Sequence, residues 1–235
     1  MTQMHRRTLI RGAVALGAGA ASAAFLAACG QSRDRGPGQA DSPTSLPDST
    51  TDTPRTPGSG PRTALVFFSR PGENYWYGDR RDLGIGNTEV LAGQIADRVD
   101  ADVIRIDAAD PYPHAYDETV DRNRQEQTED ARPEISGETP NLTGYETIIL
   151  GCPVWNSRAP MIIRTLLDST DMSGKTIHPF ITYAVGEGSV FDDYTRNYPD
   201  ATIATGFAVK GEEAIDAGTE VDRWVADSGL ENTTP

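Results

Sequence analysis

Five short runs of β-branched and large apolar residues, each followed by a stretch of helical periodicity, restrict the folds open to this 235-residue chain. The runs are Ala64 to Ser69, Asp102 to Asp107, Thr147 to Cys152, Thr176 to Tyr183 and Thr202 to Val209. The helical patterns are Thr88 to Val99, Tyr116 to Thr128, Pro160 to Leu167, a short polar one from Val190 to Asn197, and Glu212 to Asp227. Alternation of this kind argues for a parallel sheet covered on both faces. The expectation is an α/β fold, a doubly wound five-stranded parallel sheet. In such sheets ligands bind beyond the carboxyl ends of the strands, where the strand order reverses.

The first junction is the richest in chemistry. Ala64-Leu65-Val66-Phe67-Phe68-Ser69-Arg70-Pro71-Gly72 reads as a buried strand running into a turn, and after an insert from Glu73 to Ile85 the chain resumes as Gly86-Asn87-Thr88-Glu89-Val90-Leu91. A strand feeding a turn rich in hydroxyls and glycines into a helix start gathers free backbone N–H groups around one point, which suits a phosphate. Two further loops fall at strand ends: Cys152 to Pro160, containing Trp155, and Tyr183 to Ser189, containing Gly186 and Gly188. A flat heteroaromatic ring needs apolar or aromatic walls and backbone amides at its polar edge, and these loops can supply both. The plainer alternatives are a Trp155 that packs its own loop and a second loop that is an ordinary turn.

Residues 1–29 stand apart from the fold. His5-Arg6-Arg7-Thr8-Leu9-Ile10-Arg11 is a twin-arginine arrangement, the Ala/Gly-rich run from Gly12 to Ala28 is apolar, and Leu26-Ala27-Ala28-Cys29 resembles a bacterial lipobox. The order reads as an export signal that leaves Cys29 as a lipidated first residue; an uncut membrane anchor is the alternative. Both place the domain on the outer face of the cytoplasmic membrane. Residues 30–61 are dominated by Ser, Thr, Pro, Gly and Asp and read as a disordered tether spanning on the order of 30 Å. The folded domain is expected over residues 62–229, with a disordered tail over 230–235.

Composition narrows the partners. The chain has a net charge of −14, and removal of the three arginines of the signal leaves about −17. Such a surface argues against nucleic acid and favours a protein partner with a basic docking face. A general solubility bias is the competing explanation, and two lysines against nineteen arginines show that composition is skewed. Cys29 and Cys152 are the only cysteines, so no disulfide is expected and Cys152 reads as a small buried hydrophobe. Gly174-Lys175-Thr176 lacks the leading glycine of a phosphate-binding P-loop and precedes a strand, so it reads as a turn. Gly84-Ile85-Gly86 lacks the third glycine of a dinucleotide fingerprint. Three histidines form no plausible metal cluster or triad, and His178 reads as structural.

Taken together, Phe67-Phe68-Ser69-Arg70-Pro71-Gly72, Gly86-Asn87-Thr88-Glu89, Asp110-Pro111-Tyr112-Pro113, Ala131-Arg132-Pro133-Glu134, Gly151-Cys152-Pro153-Val154-Trp155 and Ser173-Gly174-Lys175-Thr176-Ile177 resemble the flavodoxin-like proteins over nearly the whole domain. The resemblance implies the strand order 2-1-3-4-5 and FMN as cofactor at the switch between the first and third strands. It assigns Ser69, Arg70, Gly72, Gly86, Asn87 and Thr88 to the phosphate loop, with Arg70 adding a charge-assisted bond. Pro153, Val154, Trp155 and Asn156 fall on the first ring-binding loop, and Tyr183, Ala184 and Gly186 on the second. The insert departs from the short flavodoxin pattern and puts Tyr75, Trp76 and Tyr77 near the nucleotide, as a lid, a docking surface or plain packing. Glu187 also departs, since its carboxylate would disfavour an anionic reduced ring if it pointed inward. The resemblance implies electron transfer by the flavin with no catalytic side chain. An FMN-dependent NAD(P)H:quinone-type reductase and a flavin-free binding or scaffold lipoprotein are the alternatives.

Overall fold

The computed structural model describes residues 63–231. The export signal with Cys29, the tether and residues 232–235 of the expected tail lie outside the described residues. Strand β1 (Thr63–Phe68) sends alternate side chains to opposite faces, as its period of two requires. Ala64, Val66 and Phe68 join one core and Leu65 and Phe67 the other. β5 (Thr147–Pro153) repeats the pattern, with Ile148, Leu150 and Cys152 on one side and Ile149 on the other. Helices α3 (Met161–Asp168) and α4 (Val190–Asn197) cover the first face; α1 (Asn87–Ala96) and α5 (Gly218–Asp227) cover the second. Each fully buried Leu or Ile on these faces contributes about 1.5–3 kcal/mol, which makes the two-sided burial decisive for the fold.

The remaining strands are β4 (Asp102–Ile106), β6 (Thr176–Tyr183), β7 (Thr202–Ile203) and β8 (Phe207–Lys210). All pair in parallel, in the order β4-β1-β5-β6, with β7 and β8 both on the far edge of β6. Counting the last two as one, this is the expected 2-1-3-4-5. The chain steps from β1 to β4 on one side and returns across β1 to β5, so the reversal lies at the carboxyl ends of β1 and β5.

Three local departures from the sequence reading have physical causes. The fifth strand is interrupted: Ile177 pairs with Ile203 but Phe180 with Phe207, so one extra residue is accommodated over Ala204 to Gly206. Lys175 and Ile177 turn their carbonyls to this neighbour, and Pro179 turns the same way but has no N–H to offer. The long last helix is likewise broken into a 3-10 turn, η1 (Gly211–Asp216), and α5. Gln94 Nε2 donates to the carbonyls of Ala214 and Ile215, at 2.7 and 3.2 Å, taking acceptors that a continuous helix would need. Finally, the insert is not a loop but a hairpin of β2 (Gly72–Trp76) and β3 (Asp79–Leu83). Tyr77 and Gly78 both have positive φ, 48° and 94°, which is the two-residue turn that matches strand twist.

At the other end, Gly229 takes a left-handed φ of 65° and caps α5, and the N–H of Leu230 reaches the Val225 carbonyl at 3.1 Å. Leu230, assigned to the tail on sequence, therefore packs against the α1–α5 face.

Candidate functional site

A cleft opens at the carboxyl ends of β1, β5 and β6 and just past β8. Its deepest part is built by the approach of the α1 N-terminus to the end of β1. Gly86 permits this approach, since a Cβ there would stand 2.6 Å from the Arg70 carbonyl oxygen and closer still to Ser69 Oγ. Ser69 Oγ accepts from the Glu89 N–H at 3.1 Å, which leaves its own O–H to donate outward. Val90 and Glu89 turn their N–H groups to Gly86, so those of Asn87 and Thr88 are the unpaired donors of the first turn. Thr88, nearly inaccessible, shares a 2.7 Å hydroxyl contact with Thr182 at the end of β6. Donors from two strands and one helix thus converge, and the partial positive charge of the helix start adds to them. Arg105 holds the Glu89 carboxylate at 2.5 Å, drawing that charge away from the cleft.

Arg70 is placed differently from the sequence expectation. Its side chain is only 8% exposed, and its two terminal nitrogens donate to the carbonyls of Pro113 (2.8 Å), His114 (3.0 Å) and Glu73. It lines the cleft, but three of its five N–H donors are committed to backbone carbonyls, and the Nε hydrogen is unpartnered. Burial pulls its guanidinium below the ordinary arginine value, opposed by Glu73. Its role here is that of a strut. It binds the hairpin to the start of α2 (Tyr116–Thr128), and Glu73 completes the joint by accepting from the Tyr116 N–H at 2.9 Å.

The two ring-side loops are locked to one another. Trp155 and Arg158 exchange backbone hydrogen bonds across Asn156 and Ser157, whose φ values of 47° and 66° make a tight, strained turn. Gln127 of α2 pins this turn, donating to the Trp155 carbonyl at 3.0 Å and accepting from Asn156 at 2.8 Å. The second loop docks through Ser189, whose N–H reaches the Ser157 carbonyl at 2.8 Å, and through Gly188, where a Cβ would lie 2.7 Å from Ser157 Cα. Trp155 is half-buried, edge-on to Phe68 and Tyr112 at 5.4 and 4.8 Å between ring centres. It packs its loop and also lines the cleft.

The flavodoxin family model matches residues 83–228, most of this chain. The chain belongs to the flavodoxin family. Its fold is similar to a candidate flavoprotein of Bacteroides uniformis, with 26% identity and a TM-score of 0.58 over 72% of this chain and 99% of that one. A second Bacteroides structure, from Bacteroides eggerthii, is 22% identical with a TM-score of 0.57, covering 73% of this chain and all of its own. The crystal structure of a Lactobacillus acidophilus flavoprotein in complex with FMN is 20% identical, with a TM-score of 0.50 over 70% of this chain and 99% of that one. No curated protein matches the sequence. The matched segment begins at the end of β3, so β1 and most of the hairpin lie outside it.

Within this flavodoxin fold, Ser69, Arg70, Asn87, Thr88, Pro153, Val154, Trp155, Tyr183 and Ala184 come together around the cleft. Gly72, Gly86, Asn156 and Gly186 do not line it. Gly72 and Gly86 act through the backbone, the first at a φ of 93° where the hairpin begins. Asn156 lies in the turn, and Gly186 stands in open space in the second loop. Glu187 is exposed and outside the cleft lining, so an inward-pointing carboxylate is not found there. Of the aromatic trio, Tyr75 reaches the cleft, whereas Trp76 is covered by the Arg81 guanidinium at 4.4 Å and Tyr77 is 65% exposed at the hairpin tip. Sequence reasoning missed Asn74, Tyr116, Thr182, Gly211 and Glu212, which also line the cleft. Thr182, one residue before the assigned Tyr183, was within reach of the strand reading; Glu212 looked like an ordinary first-turn acid.

Proposed function

We propose that this chain binds FMN in the cleft and passes electrons between partners at the outer face of the cytoplasmic membrane, held there through Cys29. The observation that carries the cofactor assignment is the phosphate niche: the Asn87 and Thr88 N–H groups and the Ser69 and Thr88 hydroxyls meet without a competing protein acceptor for the two amides. That donor set of amides and hydroxyls fits a terminal phosphate, while Arg70 spends three of its donors on carbonyls. The Bacteroides likeness and the FMN complex of the Lactobacillus acidophilus flavoprotein support the same reading. Pro153, Val154, Trp155, Tyr183 and Ala184 would flank the ring. The bound flavin supplies the redox chemistry; the protein positions it and excludes water. Tethering rests on the twin-arginine stretch and on Leu26-Ala27-Ala28-Cys29, and a basic partner face rests on the acidic charge.

The test is the absorbance spectrum of the full-length protein purified through its own export route, followed by anaerobic reductive titration. A yellow protein whose colour is lost in a Ser69→Ala, Thr88→Ala double variant is the expected result. A folded, colourless protein that ignores added FMN would support the scaffold alternative. Oxidation of NAD(P)H by the isolated protein would support the reductase.

A further inference from the structure

Glu212 is the one carboxylate among the described residues that line the cleft, and the phosphate niche does not use it. It is the second residue of η1, just beyond the carboxyl end of β8, is 6% exposed, and lines the cleft with Thr88, Thr182 and Tyr183. Among the described residues its Oε2 is buried with no hydrogen-bond partner, and no donor reaches its other oxygen. Its backbone position is fixed by Gly211, against whose Cα the Asn87 amide packs so tightly that a Cβ would stand 2.5 Å from Asn87 Nδ2. Gln94 holds the following turn through the Ala214 and Ile215 carbonyls. The carboxylate is therefore held in the cleft wall, next to the α1 N-terminus, with its acceptor capacity unspent. A buried acceptor without a partner costs about 1–3 kcal/mol, more when charged, so a donor from a ligand would relieve a standing penalty.

Resting on the FMN reading, we infer that Glu212 is a ligand-contacting residue that accepts a hydrogen bond from the sugar-alcohol chain between phosphate and ring, and so selects flavins that carry that chain. The chemistry of the ligand decides this. A carboxylate beside a phosphate is repelled, and the phosphate already has its donors at Ser69, Asn87 and Thr88. The ring offers a single N–H donor at its far polar edge, toward the loops. The linking chain offers several hydroxyl donors and must cross the space between the α1 N-terminus and the loops after β5 and β6, where Glu212 stands. The contact distinguishes a polyol-bearing flavin from one with a bare methyl group.

The experiment is a fluorescence titration of the full-length apoprotein and of its Glu212→Ala and Glu212→Gln variants with FMN, riboflavin and lumiflavin. Hydrogen bonds to charged groups contribute enough that Glu212→Ala is expected to weaken FMN and riboflavin by roughly tenfold to a hundredfold. Lumiflavin, which lacks the hydroxyls, should change less than about twofold on the same reasoning. Glu212→Gln keeps an acceptor and should retain most of the affinity. Apoprotein stability should not fall in either variant, because the carboxylate makes no protein hydrogen bond; a purely structural role would reverse that pattern. Equal losses for all three ligands, or tighter FMN with riboflavin unchanged, would overturn the inference while leaving the FMN reading intact. Wild-type protein that binds none of the three overturns both.

Discussion

Replacing Gly86 by alanine tests whether close approach of the α1 N-terminus to β1 creates the phosphate niche. The added Cβ would stand 2.6 Å from the Arg70 carbonyl oxygen, with Ser69 Oγ nearer still, and both neighbours are buried. Backbone cannot yield as a flexible side chain can, so the helix start must move away from β1. Overpacking of this kind typically costs about 1–3 kcal/mol. Displacement also breaks the bond from the Glu89 N–H to Ser69 Oγ, adding about 0.5–1.5 kcal/mol. The combined loss of about 1.5–4.5 kcal/mol corresponds to a melting temperature lower by on the order of 3–18 °C for a domain of this size. FMN affinity should fall with it, because Ser69 and the Asn87 and Thr88 amides no longer converge. Gly186→Ala is the internal control: nothing lies within 4 Å of its Cβ position, so its stability should stay within about 0.5 kcal/mol of wild type. Thermal melts and FMN titrations of both variants decide the matter. A Gly86→Ala protein as stable and as tightly binding as wild type would refute the argument.

Arg70→Lys keeps the charge but cannot reach three carbonyls with one fork, so the hairpin should loosen from α2 and trypsin should cut at Arg80 or Arg81 well before the rest of the domain. Burial pushes the Cys152 thiol up to about 12, against its ordinary 9.0, so it should resist a thiol reagent at pH 8 until the domain unfolds. Because the unfolded thiol ionises first, stability should decline with pH across that interval, and Cys152→Ala should flatten the decline in urea melts. Burial also holds the His178 imidazole below its ordinary value. The unfolded state then takes up a proton first, so its contribution is complete above about pH 6.5 and is lost as pH falls, by up to about 1.4 kcal/mol per unit; His178→Gln should shallow that slope.

The sheet was legible because its central strands β1, β5 and β6 are buried on both faces: the run from Ala64 to Phe68 has only one reading that buries every side chain. The meeting of Ser69, Asn87 and Thr88 in one cleft was legible for a related reason, since they sit where a strand and a helix must meet. What escaped was set by partners distant in sequence. The break in the fifth strand follows from Pro179 across the ladder, and the break before α5 follows from Gln94 on another helix. Arg70 looked like a phosphate ligand from its place beside Ser69 in the sequence; only the fold shows that it donates to the Pro113 and His114 carbonyls. The hairpin was hidden by its polar strands, where Asp79-Arg80-Arg81-Asp82 shows no apolar alternation. Trp155 carried a pattern that two roles share, and the fold shows it packed on Phe68 while also lining the cleft.

The hairpin leaves and rejoins the chain at almost the same point, because Gly86 returns against Ser69 and Arg70. An excursion whose two ends are riveted together is mechanically separate from the frame that carries it. Its tip can be lengthened, trimmed or exchanged without shifting the niche beneath, provided that Arg70, Glu73 and Gly86 stay. The niche and the hairpin tip above it are thus free to change independently.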